Sequence, residues 1–160
     1  MKTNFKTALL IAFLFLYVSS PFEVSAQNHE ETEDVKKERM VSQRFDRINT
    51  LPDSLLAPQE VVEKYEIFIW NLENSYMDEK GILHTKITKE ECLKKGYPEY
   101  YYHKLIEGVE ELNKFRRAQL KTAQDIEREV KAWNDYKERF RKEDRQTYLQ
   151  KMEDARKKIK

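Results

Sequence analysis

The chain has 160 residues, and its 30 basic and 29 acidic side chains give a formal net charge of +1. Charged residues make up 37% of the sequence, against a usual share of about 25%, which favours long solvated helices over one broad core. The balance of charge argues against a general nucleic-acid binder and against simple adhesion to anionic lipid. The single cysteine, Cys92, excludes an internal disulfide; we expect a partly buried thiol, although it could link two chains.

The N-terminus has the pattern of a cleaved signal peptide covering residues 1–26. Lys2 and Lys6 precede the apolar run Ala8–Val18, and the small residues of Val24-Ser25-Ala26 suit cleavage after Ala26. The run is shorter than the ~20 residues that a membrane-spanning helix needs. We therefore predict export to the periplasm or the medium, with no stable membrane insertion after cleavage.

The next segments are predicted to be a disordered acidic N-terminus, residues 27–34, and an N-terminal helix with a connector, residues 35–57. Residues 27–34 contain no apolar side chain. The helix is expected over Val35–Asn49 and ends before Pro52, because the residue before a proline avoids helical angles. Its apolar stripe consists of Val41, Phe45 and Ile48.

A helical core is predicted over residues 58–120. Its first helix, Pro58–Met77, has an apolar arc wide enough to predict contacts on more than one side. The stretch Ile82–Ile87 is extended in character, but a lone strand has no evident partner, so we expect a structured loop. Thr88 and Glu91 form a capping box for a short helix over Lys89–Lys95, which ends at Gly96.

The longest predicted element starts at Pro98 and continues through an extended, charged C-terminal helix, residues 121–160. Its apolar stripe weakens between Arg116 and Asp125, where a kink near Thr122 is possible, and lapses again after Phe140. A helix this long cannot bury its stripe against so small a core. The predicted fold is therefore all-α, with a small helical hairpin core and a long C-terminal helix that projects as an arm.

This arm supplies the leading candidate for a partner-binding surface. The stripe continues past any core that so short a chain can build, and exposed apolar surface of this kind marks protein interaction sites. The candidate residues are Ile126, Val130, Trp133 and Phe140. The predicted partner is another protein or a second copy of this chain.

An aromatic cluster supplies a second candidate, a ligand groove. Aromatic rings in a groove stack on sugars or hold a peptide, but packing at the rim of the core is the favoured interpretation of this cluster. The groove candidates are Trp70, Tyr97, Tyr100 and Tyr102.

Catalytic and metal-binding patterns point away from an enzyme. The spacing of His84, Cys92 and His103 matches no compact zinc pattern, and no thiolate-activating signature surrounds Cys92. The sequence contains no nucleophile elbow, zincin motif or glycine-rich phosphate loop. We therefore predict a non-enzymatic protein without a cofactor.

The region from Arg44 to Leu112 resembles a small uncharacterised family of exported Bacteroidetes proteins. The residues that carry the resemblance are RFDRINTLPD, SLLAPQEVVEKYE and FIWNLENSYMDEKGILHTKITKEECLKKGYPEYYYHKL. The resemblance implies an envelope location and a role beside conjugative-transfer machinery, and it implies no site residues. Asp53-Ser54-Leu55 resembles the acceptor that such proteins use for O-glycosylation; the alternative is a helix-entry turn.

The function predicted from these observations is that of an interaction or accessory component in the cell envelope. One alternative is a periplasmic holdase that grips unfolded clients between helical arms. Another is a small hydrolase or glycan-binding protein that uses the tyrosine cluster.

Overall fold

The computed structural model describes residues 32–120 and 122–159. Helices dominate this part of the chain, which confirms the all-α prediction, with one short hairpin as its only sheet in the described ranges. The predicted signal peptide lies outside the described residues. The elements are α1 (Glu33–Thr50), a 3₁₀ turn (Asp53–Leu55), α2 (Pro58–Asn74), β1 (Ser75–Met77), β2 (Leu83–Thr85), α3 (Lys89–Lys94), α4 (Glu99–Gln119), α5 (Ala123–Arg139), a π turn (Phe140–Asp144) and α6 (Arg145–Arg156).

Helix α2 lies at the centre of the fold because apolar residues cover two of its faces. One face contributes to a main core that also contains residues of β1, β2, α4, α5 and α6. The other face contributes Ile67 to a second core with Ile48, Cys92, Tyr101 and Leu105. The wide apolar arc thus contacts neighbours on more than one side, as predicted.

Helix α1 packs on the second core through the predicted stripe. Ile48 is fully buried, and Val41 and Phe45 lie against the cluster at its edge. The helix begins at Glu33, so the prediction of disorder through residue 34 is wrong for its last residues. Glu33 and Asp34 occupy the first turn, where carboxylates interact favourably with the helix dipole.

The hairpin corrects two predictions. Helix α2 ends at Asn74 rather than Met77, because Ser75 turns to extended angles and Ser75–Met77 pairs antiparallel with Leu83–Thr85. The predicted loop is therefore a strand whose partner had been assigned to the helix. Gly81 closes the turn with φ of +75°, an angle that glycine adopts without strain.

The predicted continuous C-terminal helix is interrupted between α4 and α5. The chain leaves helical geometry at Leu120, and Thr122 starts a new helix with a capping box. Thr122 Oγ1 accepts a hydrogen bond from the Asp125 backbone N–H at 3.1 Å, and the Thr122 N–H donates to Asp125 Oδ2 at 3.2 Å. At the predicted kink near Thr122 one helix ends and a second, separately capped helix begins.

The prediction of a projecting arm is wrong, because α6 packs antiparallel on α2. Arg145 pairs with Glu73 near the end of α2, and Arg156 pairs with Glu66, two turns earlier in α2. The π turn makes this packing possible. One extra residue in the turn shifts the helical register by about 100°, so that Tyr148, Met152 and Ala155 face the same side as Phe140.

Candidate functional site

The predicted partner-binding stripe is divided between the interior and the surface. Trp133 and Phe140 are only 3% and 1% exposed and belong to the main core, so the argument that they need an outside partner is wrong. The reason is that α5 and α6 fold back along α2. Ile126 and Val130 are half-buried and remain accessible at the surface.

The predicted ligand-groove residues are half-buried, and their contacts are made within the chain. The Tyr100 hydroxyl lies 3.0 Å from Ser42 Oγ of α1, and the Tyr97 and Trp70 rings lie 5.9 Å apart. Lys95 covers Trp70, with its Nζ 5.1 Å from the ring. Tyr102 also lies against the second core. These contacts hold α1, α2 and α4 together, and a ligand role for the rings stays a prediction.

A partly buried ionic network lies beneath the tyrosines. Glu63 accepts a hydrogen bond of 2.6 Å from the Tyr101 hydroxyl and is also bonded by the Arg44 guanidinium. Burial, together with the Glu63 carboxylate, raises the pKa of Tyr101 well above its usual value. The network is satisfied internally and ties α1, α2 and α4 together, so we assign it to stability.

An open apolar groove runs along the exposed side of α5. It has a volume of about 530 Å³ and faces the hairpin at Glu79. Ala123, Ile126 and Val130 form its floor, with Glu127, Lys131 and Asn134 at its margins. The surface-accessible half of the predicted stripe therefore lies in a groove.

A second depression, of about 460 Å³, adjoins the groove, and we call it the cationic recess. It is lined by Tyr76 of β1, by Trp133, Asn134, Lys137 and Glu138 of α5, and by Arg141 and Lys142 of the π turn. Asn134 lines both depressions. The two depressions therefore lie next to each other along α5, and we call the pair the α5 trough, which has an apolar end and a basic end.

The cations of the recess are only partly matched by carboxylates. Lys142 pairs with Glu138 at 2.7 Å. Lys137 instead donates to the backbone carbonyls of Ser75 and Glu73. Burial, with the nearby cations Arg141 and Lys86, lowers the pKa of the Lys137 ammonium group. The lowered pKa therefore reflects burial first and the neighbouring positive charges second.

Two buried donors lie behind the recess. Arg116 places its guanidinium 5.8 Å from the Trp133 ring centroid and pairs with Glu129 at 3.4 Å. Arg116 Nε and Trp133 Nε1 have no hydrogen-bond acceptor among the described residues. Buried donors without partners are uncommon in folded proteins, and each one calls for an explanation.

Sequence reasoning identified Ile126 and Val130 from their helical spacing, but it missed the basic end of the trough. The basic end combines Lys137 of α5 and Arg141 of the π turn with Tyr76 of β1. Lys86, just after β2, lies over the Tyr76 ring and adds its charge from the side of the hairpin. The available signal was the basic spacing of Lys137 and Arg141, one turn apart on the same helical face.

The described ranges hold no candidate for a metal-ligand cluster or a membrane-spanning helix. Within residues 32–120 and 122–159, no group of three His, Cys, Asp or Glu side chains could hold a metal ion. No helix of that part of the chain is long and apolar enough to cross a membrane.

The chain matches no protein-family model, no curated protein and no solved structure.

Proposed function

We propose that this protein is an exported, non-enzymatic helical protein that binds a segment of another protein in the α5 trough. In this role it is an interaction or accessory component of the cell envelope. The resemblance of Arg44–Leu112 to exported proteins linked to conjugative transfer supports a place beside that machinery. The signal-peptide pattern of residues 1–26 supports export.

The observation that carries the proposal is that an apolar groove and a basic recess are neighbours on α5. Ala123, Ile126 and Val130 line the groove, and Asn134 lines both the groove and the cationic recess. Apolar surface rimmed by charged residues is typical of peptide-binding sites, where pockets accept side chains of a bound segment. A small-molecule site is less well supported, because such sites bury most of their ligand and the trough is open.

In-cell photocrosslinking tests the proposal. A photoreactive residue at Asn134, which is exposed in the trough, is expected to capture a discrete partner. The same residue at Glu153, exposed on α6, is the matched control and should not capture it. Adducts that are identical from both positions, or absent from both, would contradict the proposal.

A blocking variant and the purified protein complete the test. Ala123→Glu puts a charged side chain on the groove floor, and the first turn of a helix accommodates a carboxylate well. The Asn134 adduct should disappear in this variant while the helical signal is unchanged. If the purified protein alone crosslinks to itself from Asn134, the occupant is a second copy rather than another protein.

A further inference from the structure

The cationic recess contains more positive charge than its own carboxylates neutralise. Lys142 and Arg145 have acidic partners, Glu138 and Glu73. Neither Lys86 nor Arg141 forms an ion pair with any residue in the described ranges. Lys86 lies over the Tyr76 ring at 5.6 Å, and its charge and that of Arg141 both act on Lys137.

Trp133 adds an unused donor at the same place. Its side chain lines the recess, is 3% exposed, and has an Nε1–H without an acceptor in the part of the chain that the structure describes. An indole N–H usually has a partner when it is buried. An anion in the recess would lie beside Trp133 and beside Lys137 and Arg141, which also line it.

We infer that the cationic recess is a carboxylate-binding site, and that the protein segment bound in the trough places acidic side chains there and apolar side chains on the groove floor. This inference rests on the proposed function and specifies the chemistry of its partner. The charges at the two ends favour one orientation. Glu79 and Glu127 flank the apolar end and would repel an acidic residue there, and the lysine at that end, Lys131, is already paired with Asp135.

The length of the trough sets the spacing in the partner. Ile126 and Lys137 lie eleven positions apart on α5, which corresponds to about 16 Å at 1.5 Å per residue. An extended segment covers that distance in about five residues at ~3.3 Å each. The partner should therefore carry its acidic residues about five positions from its apolar ones if it binds in an extended conformation.

Three designed peptides test the inference on the purified exported protein. The first is an acetylated and amidated peptide with paired leucines, a glycine-serine spacer and paired glutamates at this spacing. The second replaces the glutamates with glutamine, and the third replaces the leucines with serine. Binding is followed by NMR titration, with the Trp133 indole N–H resonance as the local reporter, assigned by comparison with Trp70→Phe.

The glutamate peptide should bind with a shift of the Trp133 resonance, and at least about fivefold more tightly than the glutamine peptide at low salt. Arg141→Gln and Lys86→Gln should each remove most of that preference. Both residues are exposed, so the substitutions leave the core intact. Arg128→Gln is the matched control, because Arg128 is exposed on α5, pairs with Asp125 at 2.7 Å and lies outside the recess.

The outcomes separate this inference from the function on which it rests. Equal binding of the glutamate and glutamine peptides would overturn the carboxylate site and leave the groove proposal standing. Equal binding of the leucine and serine peptides would support the carboxylate site and contradict docking in the groove. If no peptide binds, both are overturned.

Discussion

The side-chain amide of Asn113 on α4 bonds Leu83 of β2 as a neighbouring strand would. The Leu83 backbone N–H donates to Asn113 Oδ1 at 2.8 Å, and Asn113 Nδ2 donates to the Leu83 carbonyl at 2.8 Å. Both residues are buried. A two-stranded hairpin is marginal by itself, and this amide satisfies the edge that a third strand would otherwise cover.

Asn113→Ala should therefore destabilise the protein by about 2–4 kcal/mol, because it leaves a buried N–H and a buried C=O unpaired. Urea unfolding followed by circular dichroism measures the change. The control is Asn134→Ala. Asn134 is an exposed residue of α5, so this substitution should alter the free energy of unfolding by less than about 0.5 kcal/mol. Equal effects at the two positions would show that the amide does not stabilise the hairpin.

The π turn should be intolerant of shortening. Deletion of Glu143, an exposed residue of the turn, removes the extra residue and rotates α6 by about 100°. Met152 and Ala155 would then leave the core, a loss of at least about 4 kcal/mol that should abolish cooperative unfolding. Deletion of Lys157, which follows α6, is the control and should leave the thermal midpoint nearly unchanged.

Alanine substitutions at the three glycines test the contact between the hairpin turn and the α4–α5 connection. Gly81 and Gly96 both have positive φ, but only Gly81 has a close neighbour, since an added Cβ would lie 3.0 Å from Leu120 Cδ1. Alanine at Gly96 should cost about 1 kcal/mol from backbone strain alone, and alanine at Gly81 should cost more. Gly108→Ala, in helix α4 with no atom within 4 Å, should stabilise by about 0.5–1 kcal/mol. Thermal unfolding of the three variants measures the order, and equal losses at Gly81 and Gly96 would contradict the contact.

Asp53 should contribute stability that acid removes. Burial acts to raise its pKa, but hydrogen bonds from Tyr65 and Lys64 outweigh this effect and hold the pKa below its usual value. A carboxylate with a lowered folded-state pKa stabilises the protein above its unfolded pKa of about 3.9, and the contribution is lost as pH falls through the folded pKa.

The measurement is the free energy of unfolding of Asp53→Asn relative to the parent chain across pH. The variant should be less stable at pH 7, and the difference should shrink as the pH falls below about 4. Asp154→Asn, at an exposed site on α6, is the control and should differ little from the parent at any pH. A difference for Asp53→Asn that is constant with pH would contradict the role of its charge.

Local sequence signals predicted those helix starts and ends that depend on a few adjacent residues. Pro58 begins α2, Thr88 and Glu91 cap α3, and Gly96 follows it, all as predicted. Strand β1 could not be predicted, because the helical spacing of apolar residues continues through Tyr76. The strand depends on pairing with β2, and Leu83 of β2 is in turn bonded by Asn113, thirty positions further along the chain.

Two sequence patterns mark the points at which α5 and α6 fold back along α2, although neither pattern predicts this packing alone. Thr122 and Asp125 have the spacing of a capping box, and the lapse of the stripe after Phe140 corresponds to the π turn. What the sequence could not provide was the register of α6 on α2, which depends on one inserted residue. The error placed Trp133 and Phe140 at the surface, whereas they are buried, and Ile126 and Val130 are half-buried.

Arg141→Gln should stabilise the free protein while weakening its binding of an acidic segment. Because burial, Arg141 and Lys86 lower the pKa of Lys137, the charged lysine costs stability at neutral pH, and this cost disappears as pH rises through the folded pKa toward about 10.4. Removing the Arg141 charge should raise the Lys137 pKa and the free energy of unfolding, by up to about 0.5 kcal/mol at low salt and by less at high salt.

Charged residues that bind a ligand often lower the stability of the free protein, and we expect this of Arg141. Arg128→Gln removes a cation that is already paired with Asp125, so it should produce neither the gain in stability nor the loss of binding. Chemical denaturation at two salt concentrations measures the first effect, and the peptide titration measures the second. A variant Arg141→Gln that is less stable than the parent at low salt would show that the basic cluster serves the fold.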